Sequence, residues 1–113
     1  MTKPRLALTI RQPFAELIMR GLKATEERSR PTKIRCRIFI YVSLGHWPAA
    51  EEDEWAEEFG IEIDGLLRGV LVGKVELYDC QGEGEWLFRA PDRLAAPVRP
   101  ERHPNPVWWR PYG

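Results

Sequence analysis

Alternating apolar and polar residues predict several short β-strands along the chain. The clearest is residues 34–43, where the side chains of one face are all apolar: Ile34, Cys36, Ile38, Ile40 and Val42. The residues between them form a mixed face, and we expect Cys36 to pack on the apolar face rather than to react. Further β-prone stretches cover residues 6–10, 69–78, 85–89 and 107–109.

Two short helices are predicted between these strands. The first begins at Pro13, which suits an early helical position because it lacks an N–H group, and it ends at Gly21. Its apolar stripe consists of Phe14, Leu17 and Ile18. The second helix covers residues 48–59 and ends at Gly60, with its glutamates facing solvent. The residues expected to face inward on it are Trp55, Ala56 and Phe59.

Together these elements predict one α+β domain that spans residues 1–113. A chain of 113 residues allows a single core, and a hydrophobic fraction of 43% supports folding. The last third is rich in proline and is expected to wrap around the sheet. No apolar run is long enough for a membrane span and the first residues lack a secretory signal, so we expect a cytoplasmic protein.

The chain offers few residues for metal binding or nucleophilic catalysis. Its two cysteines are Cys36 and Cys80, and their spacing predicts neither a metal site nor a disulfide framework. His46 and His103 are isolated and are interpreted as surface residues. We therefore predict no metal and no cofactor, and the sequence leaves the oligomeric state open.

Charge is divided unevenly along the chain, although 17 basic and 17 acidic side chains give a net charge of zero. Residues 1–48 carry ten basic and three acidic side chains, whereas residues 49–85 carry two basic and twelve acidic ones. Residues 86–113 carry five basic and two acidic ones. A neutral total therefore does not exclude an anionic partner for the first segment. The alternative is a basic loop and an acidic helix that are both merely solvated.

A recognisable motif lies in residues 8–43. The stretch Leu8-Thr-Ile-Arg-Gln-Pro-Phe-Ala15 is followed by Gly21-Leu-Lys-Ala-Thr-Glu-Glu-Arg28. This resembles the opening of ASCH domains, in which a Gln-Pro-aromatic-Ala start precedes the pattern Gly-x-Lys-x-x-Glu-x-Arg. The matching residues are Gln12, Pro13, Phe14, Ala15, Gly21, Lys23, Glu26 and Arg28. The resemblance extends over nearly the whole chain but is less specific in its C-terminal half.

The resemblance implies a PUA-like fold, which is a small twisted β-barrel with short helices closing its ends. Members of that larger group mostly bind RNA, and they often recognise a single modified or flipped base. The resemblance therefore implies an RNA-binding module with a cleft for single-stranded or modified RNA.

The resemblance places the ligand site around the matched residues. Pro13 at a helix start would leave free backbone N–H groups beside Gln12, which could bind an anion or a carbonyl. Lys23 and Arg28 would supply cations for phosphate, and Glu26 would accept from the exocyclic amine of a base. The other predicted contacts are Ser29, Arg37, Tyr41 and Ser43. The candidate stacking rings are Phe39, Tyr41, Trp47, Trp108 and Trp109.

Two departures from the family pattern bear on the ligand. Cys36 stands where such families often carry glycine, and Glu27 stands at a position that is usually apolar or aromatic. Either could mean a changed ligand. An alternative role for Lys23, Glu26 and Arg28 is an ion-pair network that only pins the loop after the first helix.

Two further functions remain open from the sequence. Some small proteins that resemble this family hydrolyse the amide of N4-acetylcytidine, and others have been associated with ribonuclease activity. Lys23 and Glu26 would then be catalytic, provided that burial favoured the neutral lysine. In the amidohydrolases a threonine follows the lysine by three positions, and Glu26 stands there instead, which favours binding over catalysis. The second alternative is a protein-interaction domain whose acidic segment 51–58 docks a basic partner.

Overall fold

The computed structural model describes residues 4–102 and 104–113. In chain order the elements are β1 (Ala7–Ile10), α1 (Phe14–Met19), β2 (Thr25–Glu27), β3 (Cys36–Val42), α2 (Ala49–Phe59), β4 (Leu71–Gln81), β5 (Glu85–Val98) and β6 (Trp108–Trp109), with a 3-10 turn at Ile63–Gly65. These elements confirm the expected α+β class. No helix in the described part of the chain is long and apolar enough to cross a membrane. His103, which the sequence assigned to the surface, lies outside the described residues.

All six strands belong to one sheet, in the order β2-β5-β4-β3-β1-β6. The strands β3, β4 and β5 pair in an antiparallel manner, whereas β1 lies parallel to β3 with Ile10 opposite Val42. The carboxyl ends of β1 and β3 therefore meet at the same edge, where the N–H of Ser43 donates to the carbonyl of Ile10 at 3.0 Å. Residues that follow these two strands are brought together at this edge.

Both faces of β3 are buried over most of its length. Ile38 and Ile40 lie in the main core beneath α1, as the alternation predicts. Phe39 and Tyr41, which we expected on a mixed face, are 3% and 5% exposed. Their face is covered by a second cluster that includes Ala7, Leu71 and Trp109. The prediction for Cys36 was wrong, because β3 begins at this residue and its side chain is exposed.

Helix α1 follows the predicted pattern closely. Its buried side chains include Leu17 and Ile18, and Gly21 just after it adopts a positive φ of 74°. Pro13 is the residue that caps the helix, and the first helical residue is Phe14. With six residues, α1 depends on its packing against the sheet for stability.

Helix α2 differs from its prediction at two positions. Its glutamates were expected to face solvent, yet Glu52 is 8% exposed. Phe59 was expected to face inward and is 39% exposed. Trp55 and Ala56 are partly buried and pack on the cluster around Leu17, as expected. The helix is therefore rotated so that one carboxylate faces the preceding loop, and the contacts of that carboxylate are described with the site below.

The sheet bends so that strands far apart in its order come into contact. The ring of Trp86 on β5 stacks on Trp108 of β6 with centroids 5.5 Å apart. Four strand spacings separate these strands in the sheet order, which in a flat sheet amounts to about 19 Å. Strand pairing does not join β2 to β6 within residues 4–102 and 104–113, so the sheet is open and the predicted barrel closure is not established.

Candidate functional site

A cleft of about 460 Å³ opens at the edge where β1 and β3 end. Ligands of open sheets commonly bind beyond the carboxyl ends of parallel strands, and this volume is within the ~300–1,000 Å³ typical of small-molecule sites. The residues that line the cleft are Thr9, Ile10, Arg11, Phe14, Lys23, Glu26, Glu27, Arg28, Ser43, Trp47 and Pro106. The structure therefore brings Lys23, Glu26, Arg28 and Ser43 together.

Glu26 and Arg28 form a largely buried ion pair in the cleft. Arg28 donates from Nε and Nη2 to Oε2 of Glu26 at 3.1 and 2.8 Å. Their side chains are 22% and 13% exposed for Arg28 and Glu26 respectively. Both bonds end on the same oxygen, and Oε1 of Glu26 has no hydrogen-bond partner among the described residues. Glu26 therefore offers one oriented acceptor to a ligand.

Arg28 is held by the protein on several sides. Its Nη2 also donates to the carbonyl of Thr9 at 2.9 Å, which links the end of β2 to β1. Its guanidinium carbon lies 5.7 Å from the centre of the Trp86 ring. Its backbone lies so close to Gly84 that a Cβ there would be 1.9 Å from the Arg28 carbonyl oxygen. These contacts indicate that Arg28 orients Glu26 and that its Nε and Nη2 donors are directed to the protein.

Lys23 places an ammonium group in the same cleft. Its Nζ donates to the carbonyl of Thr25 and lies 5.5 Å from the centre of the Phe14 ring. An ammonium carries three N–H donors, and the contact with Thr25 uses one of them. Lys23 is therefore anchored while it keeps donors for a ligand carbonyl or phosphate.

Three aromatic rings form one wall of the site. Phe14 contacts Trp47 and Trp55 edge-on, with centroid distances of 5.9 and 4.8 Å. Phe14 and Trp47 line the cleft, and Trp55 supports both from behind. The guanidinium of Arg11 lies 4.9 Å from the Trp47 ring centre and is exposed to solvent. The wall thus combines an apolar surface with a cation at its rim.

The loop that carries Trp47 is fixed by the buried carboxylate of α2. Oε2 of Glu52 accepts the backbone N–H of Trp47 at 2.8 Å. Oε1 of Glu52 lies 3.4 Å from Nδ1 of His46 and 3.8 Å from Nη2 of Arg68. Arg68 also donates to the carbonyl of Gly45 at 3.0 Å. This network explains why Glu52 faces inward, since a buried carboxylate requires such partners.

Gln12 and Pro13 do not form the anion cradle that the sequence suggested. Gln12 is 2% exposed, and its Oε1 accepts the N–H of Glu16 while its Nε2 donates to the carbonyl of Leu67, both at 3.0 Å. The N–H groups of Phe14 and Ala15 bond to the carbonyl of Arg11. The donors at the start of α1 are therefore satisfied within the protein, and these motif residues are structural.

Three other predicted contacts lie away from the cleft. Ser29 is exposed but is not among its lining residues, and Arg37 donates to the carbonyl of Ala90 at 2.8 Å. Tyr41 packs edge-on against Trp109 at 5.2 Å on the opposite face of the sheet, where burial raises the pKa of its hydroxyl. Ser43 does line the cleft, and its Oγ accepts the N–H of Gly45 at 3.0 Å. Of the five candidate stacking rings, Trp47 is the one that lines the cleft.

Sequence reasoning missed several lining residues, of which Arg11 and Phe14 matter most. Phe14 was assigned to the core stripe of α1, and its ring both packs on Trp55 and faces the cleft. Arg11 directly follows β1, but its relevance depends on the parallel pairing of β1 with β3, which no local pattern reveals. Had that pairing been assumed, the general rule for strand ends would have identified both Arg11 and Ser43.

The sequence model of the ASCH domain matches residues 8–91, about three quarters of the chain. The chain belongs to the ASCH domain family. In this ASCH domain the matched segment contains every cleft residue except Pro106. Of the two departures from the family pattern, Glu27 lines the cleft and Cys36 does not. In the part of the chain that the structure describes, no group of three or more His, Cys, Asp or Glu side chains is placed to hold a metal ion.

Proposed function

We propose that this ASCH domain is an RNA-binding module whose cleft takes the base of one single-stranded or modified nucleotide. One observation carries the proposal: the unpartnered oxygen of Glu26, the ammonium of Lys23 and an aromatic wall converge on a single cleft. Membership of the ASCH family is consistent with a PUA-like module of this kind. A PUA-like barrel is part of the proposal.

Each group has a distinct task in this arrangement. The base lies against the wall formed by Phe14 and Trp47, because nucleobases stack or pack on aromatic rings irrespective of their sequence. Oε1 of Glu26 accepts from an exocyclic amine, and Lys23 donates to a base carbonyl or to the adjoining phosphate. Arg28 positions Glu26 for this contact.

The acidic segment makes the binding selective. Most carboxylates of α2 are exposed, so they repel RNA phosphates that approach the surface away from the cleft. Few phosphates are then neutralised, and the slope of log affinity against log salt is expected to be shallow, about −0.7 for each phosphate contacted.

Fluorescence anisotropy with labelled oligocytidine, oligouridine and oligoadenosine tests the proposal, with Lys23→Ala compared with Lys33→Ala. Lys33 is an exposed lysine that does not line the cleft. Lys33→Ala therefore removes the same charge as Lys23→Ala without changing the cleft. We expect Lys23→Ala to weaken binding about tenfold or more, since a hydrogen bond to a charged group contributes about 1.5–3 kcal/mol. Lys33→Ala should bind as wild type does. Equal affinity of the two variants for every oligonucleotide would contradict the proposal.

The enzymatic alternative is less well supported by the geometry. Glu26 stands where the amidohydrolases carry threonine, and it lacks the hydroxyl that could act as a nucleophile. Its carboxylate instead accepts two hydrogen bonds from Arg28. Incubating the wild type and Lys23→Ala with N4-acetylcytidine and with single-stranded RNA separates the two functions. Turnover that the substitution abolishes would replace the binding proposal with catalysis.

A further inference from the structure

Two hollows adjoin the cleft, and they differ in charge. One lies at the turn between β4 and β5 and shares Glu27 and Arg28 with the cleft. Its lining also includes the carboxylates of Glu83 and Glu85. Since Arg28 is already paired with Glu26, this hollow presents carboxylates to any ligand that leaves the cleft on that side.

The other hollow is an apolar groove of about 270 Å³ between α1 and the β4–β5 pair. Its floor is formed by Ile18, Val75 and Phe88, and the exposed Ala24 also lines it. No acidic residue lines it. Lys23 lines both the groove and the cleft, so one cation stands between two cavities.

We propose that this groove binds the base next to the one in the cleft, so that the site recognises a dinucleotide step with the connecting phosphate at Lys23. The proposal rests on the proposed function and extends it from one nucleotide to two. The strand runs from Arg11 at the rim, across the cleft and past Lys23 into the groove. It avoids the turn, where Glu27, Glu83 and Glu85 repel phosphate.

The chemistry of the groove defines what it accepts. An apolar floor contacts the faces and edges of a heterocycle but offers it few hydrogen bonds, so this subsite tolerates any base. At about 270 Å³ the groove is smaller than the cleft of about 460 Å³, and we assign one heterocycle to it. Base specificity therefore belongs to the cleft, and the groove adds affinity.

Dinucleoside monophosphates test the inference, because removal of one base leaves the phosphate unchanged. Calorimetry on the wild type would compare each homodinucleotide of cytidine, uridine and adenosine with its two abasic analogues, one lacking the 5′ base and one the 3′ base. The analogue that keeps the cleft base binds more tightly than the other. We expect this tighter analogue to bind at least about fivefold more weakly than the complete dinucleotide. A factor of about five corresponds to about 1 kcal/mol, the low end of the range for stacking of one base.

A filled groove provides the matched variant. Ala24→Leu places bulk at the groove, whereas Ala95→Leu makes the same change at an exposed position of β5 outside it. Ala24→Leu should abolish the preference for the complete dinucleotide and leave binding of the tighter abasic analogue unchanged. Ala95→Leu should alter neither value.

The outcomes separate this inference from the function on which it rests. If the complete dinucleotide and the tighter analogue bind the wild type equally, the groove subsite is disproved while binding in the cleft stands. A preference that persists in Ala24→Leu also disproves it. If no dinucleotide binds and no labelled oligonucleotide binds, both proposals fail.

Discussion

The two halves of the family motif do different physical work. The first half, Gln12 to Ala15, is mostly buried, and its polar groups bond within the protein. The second half contributes Lys23, Glu26 and Arg28 to an open cleft. A motif that marks a family thus contains residues that stabilise the fold as well as residues that line an open cleft. Burial and satisfied hydrogen bonds separate the two groups.

The largest effect is expected from Gln12→Ala, which tests the structural half. The change removes two hydrogen bonds from a residue that is 2% exposed and leaves the N–H of Glu16 and the carbonyl of Leu67 without that partner. We expect the free energy of unfolding to fall by about 3–5 kcal/mol, from unpaired polar groups and the cavity together. Urea denaturation measures this loss.

The matched control for this variant is Gln81→Ala, at an exposed position near the β4–β5 turn. It should change the free energy of unfolding by less than about 0.5 kcal/mol. A Gln12→Ala protein that keeps wild-type stability but loses RNA binding would overturn the division between the two halves.

An intermediate effect is expected from Arg28→Ala, which should affect both stability and binding. The change breaks the ion pair with Glu26 and the link to the Thr9 carbonyl, for a loss of about 2–3 kcal/mol in the free energy of unfolding. It should also weaken RNA binding, because Glu26 loses its orientation. Arg30→Ala removes an exposed arginine nearby and serves as the control in denaturation and anisotropy.

Arg28→Lys refines this test. A lysine keeps the charge but lacks the planar fork that bonds Glu26 and Thr9 at the same time. We expect it to remain below wild type in both measurements. Full recovery of RNA affinity by Arg28→Lys would indicate that Arg28 acts on phosphate by charge alone, against the positioning role.

The smallest effect concerns Glu16, which directly follows the structural half of the motif and accepts the side-chain hydrogen bonds of Arg20 and Arg93, and it depends on pH. Burial by itself would raise the pKa of Glu16, but hydrogen bonds from Arg93 and Arg20 outweigh it and hold the pKa below its ordinary value of 4.5. The folded state therefore favours the ionised carboxylate. The resulting stability is present above that value and is lost as pH falls through the lower, folded pKa.

Glu16→Gln removes this contribution. The wild type should be more stable than the variant at neutral pH by up to about 1 kcal/mol, and the difference should shrink toward zero in acid. Urea denaturation of both proteins at neutral pH and at about pH 3 measures it. Glu83→Gln, at an exposed glutamate, is the control for the substitution itself and should change the free energy of unfolding at neutral pH by less than about 0.5 kcal/mol. A difference that grows in acid would mean that folding raises the pKa of Glu16 instead of lowering it.

Local patterns were sufficient to predict much of the fold. The alternation over residues 34–43 identifies β3, and the glycines at 21 and 60 mark the ends of both helices, where each has positive φ. These features depend on backbone conformation and on one face of one element. They need no knowledge of distant parts of the chain.

Features that depend on distant segments were not predicted. Phe39 and Tyr41 are buried because their side chains pack in one cluster with Ala7, Leu71 and Trp109, and Leu94 and Val98 of β5 pack against that cluster. Glu52 is buried because its carboxylate accepts the backbone N–H of Trp47 in the loop that precedes α2. β5 extends to Val98 through Pro91 and Pro97, which a single-sequence pattern reads as breaks.

Only part of the candidate site was predicted, because its geometry also depends on contacts between distant segments. Resemblance to the family identified Lys23, Glu26 and Arg28, but it did not reveal that Arg28 directs its Nε and Nη2 donors to the protein. The family pattern likewise could not show that Gln12 is buried. Hydrogen-bond saturation is a property of the folded chain, and no motif encodes it.

The contact of Arg28 with Thr9 also has a consequence for dynamics. The short edge strand β2 pairs with β5 over three residues, and Arg28 fastens its end to β1. Fraying of this edge therefore releases Glu26 from its oriented position at the same moment. A ligand held by Glu26 binds the closed form alone, so it should slow amide hydrogen exchange in residues 25–28 more than in the central strands. Under the proposed function, opening of this one edge strand gives bound RNA a route for release, so the rate of opening sets an upper limit on the residence time of the RNA.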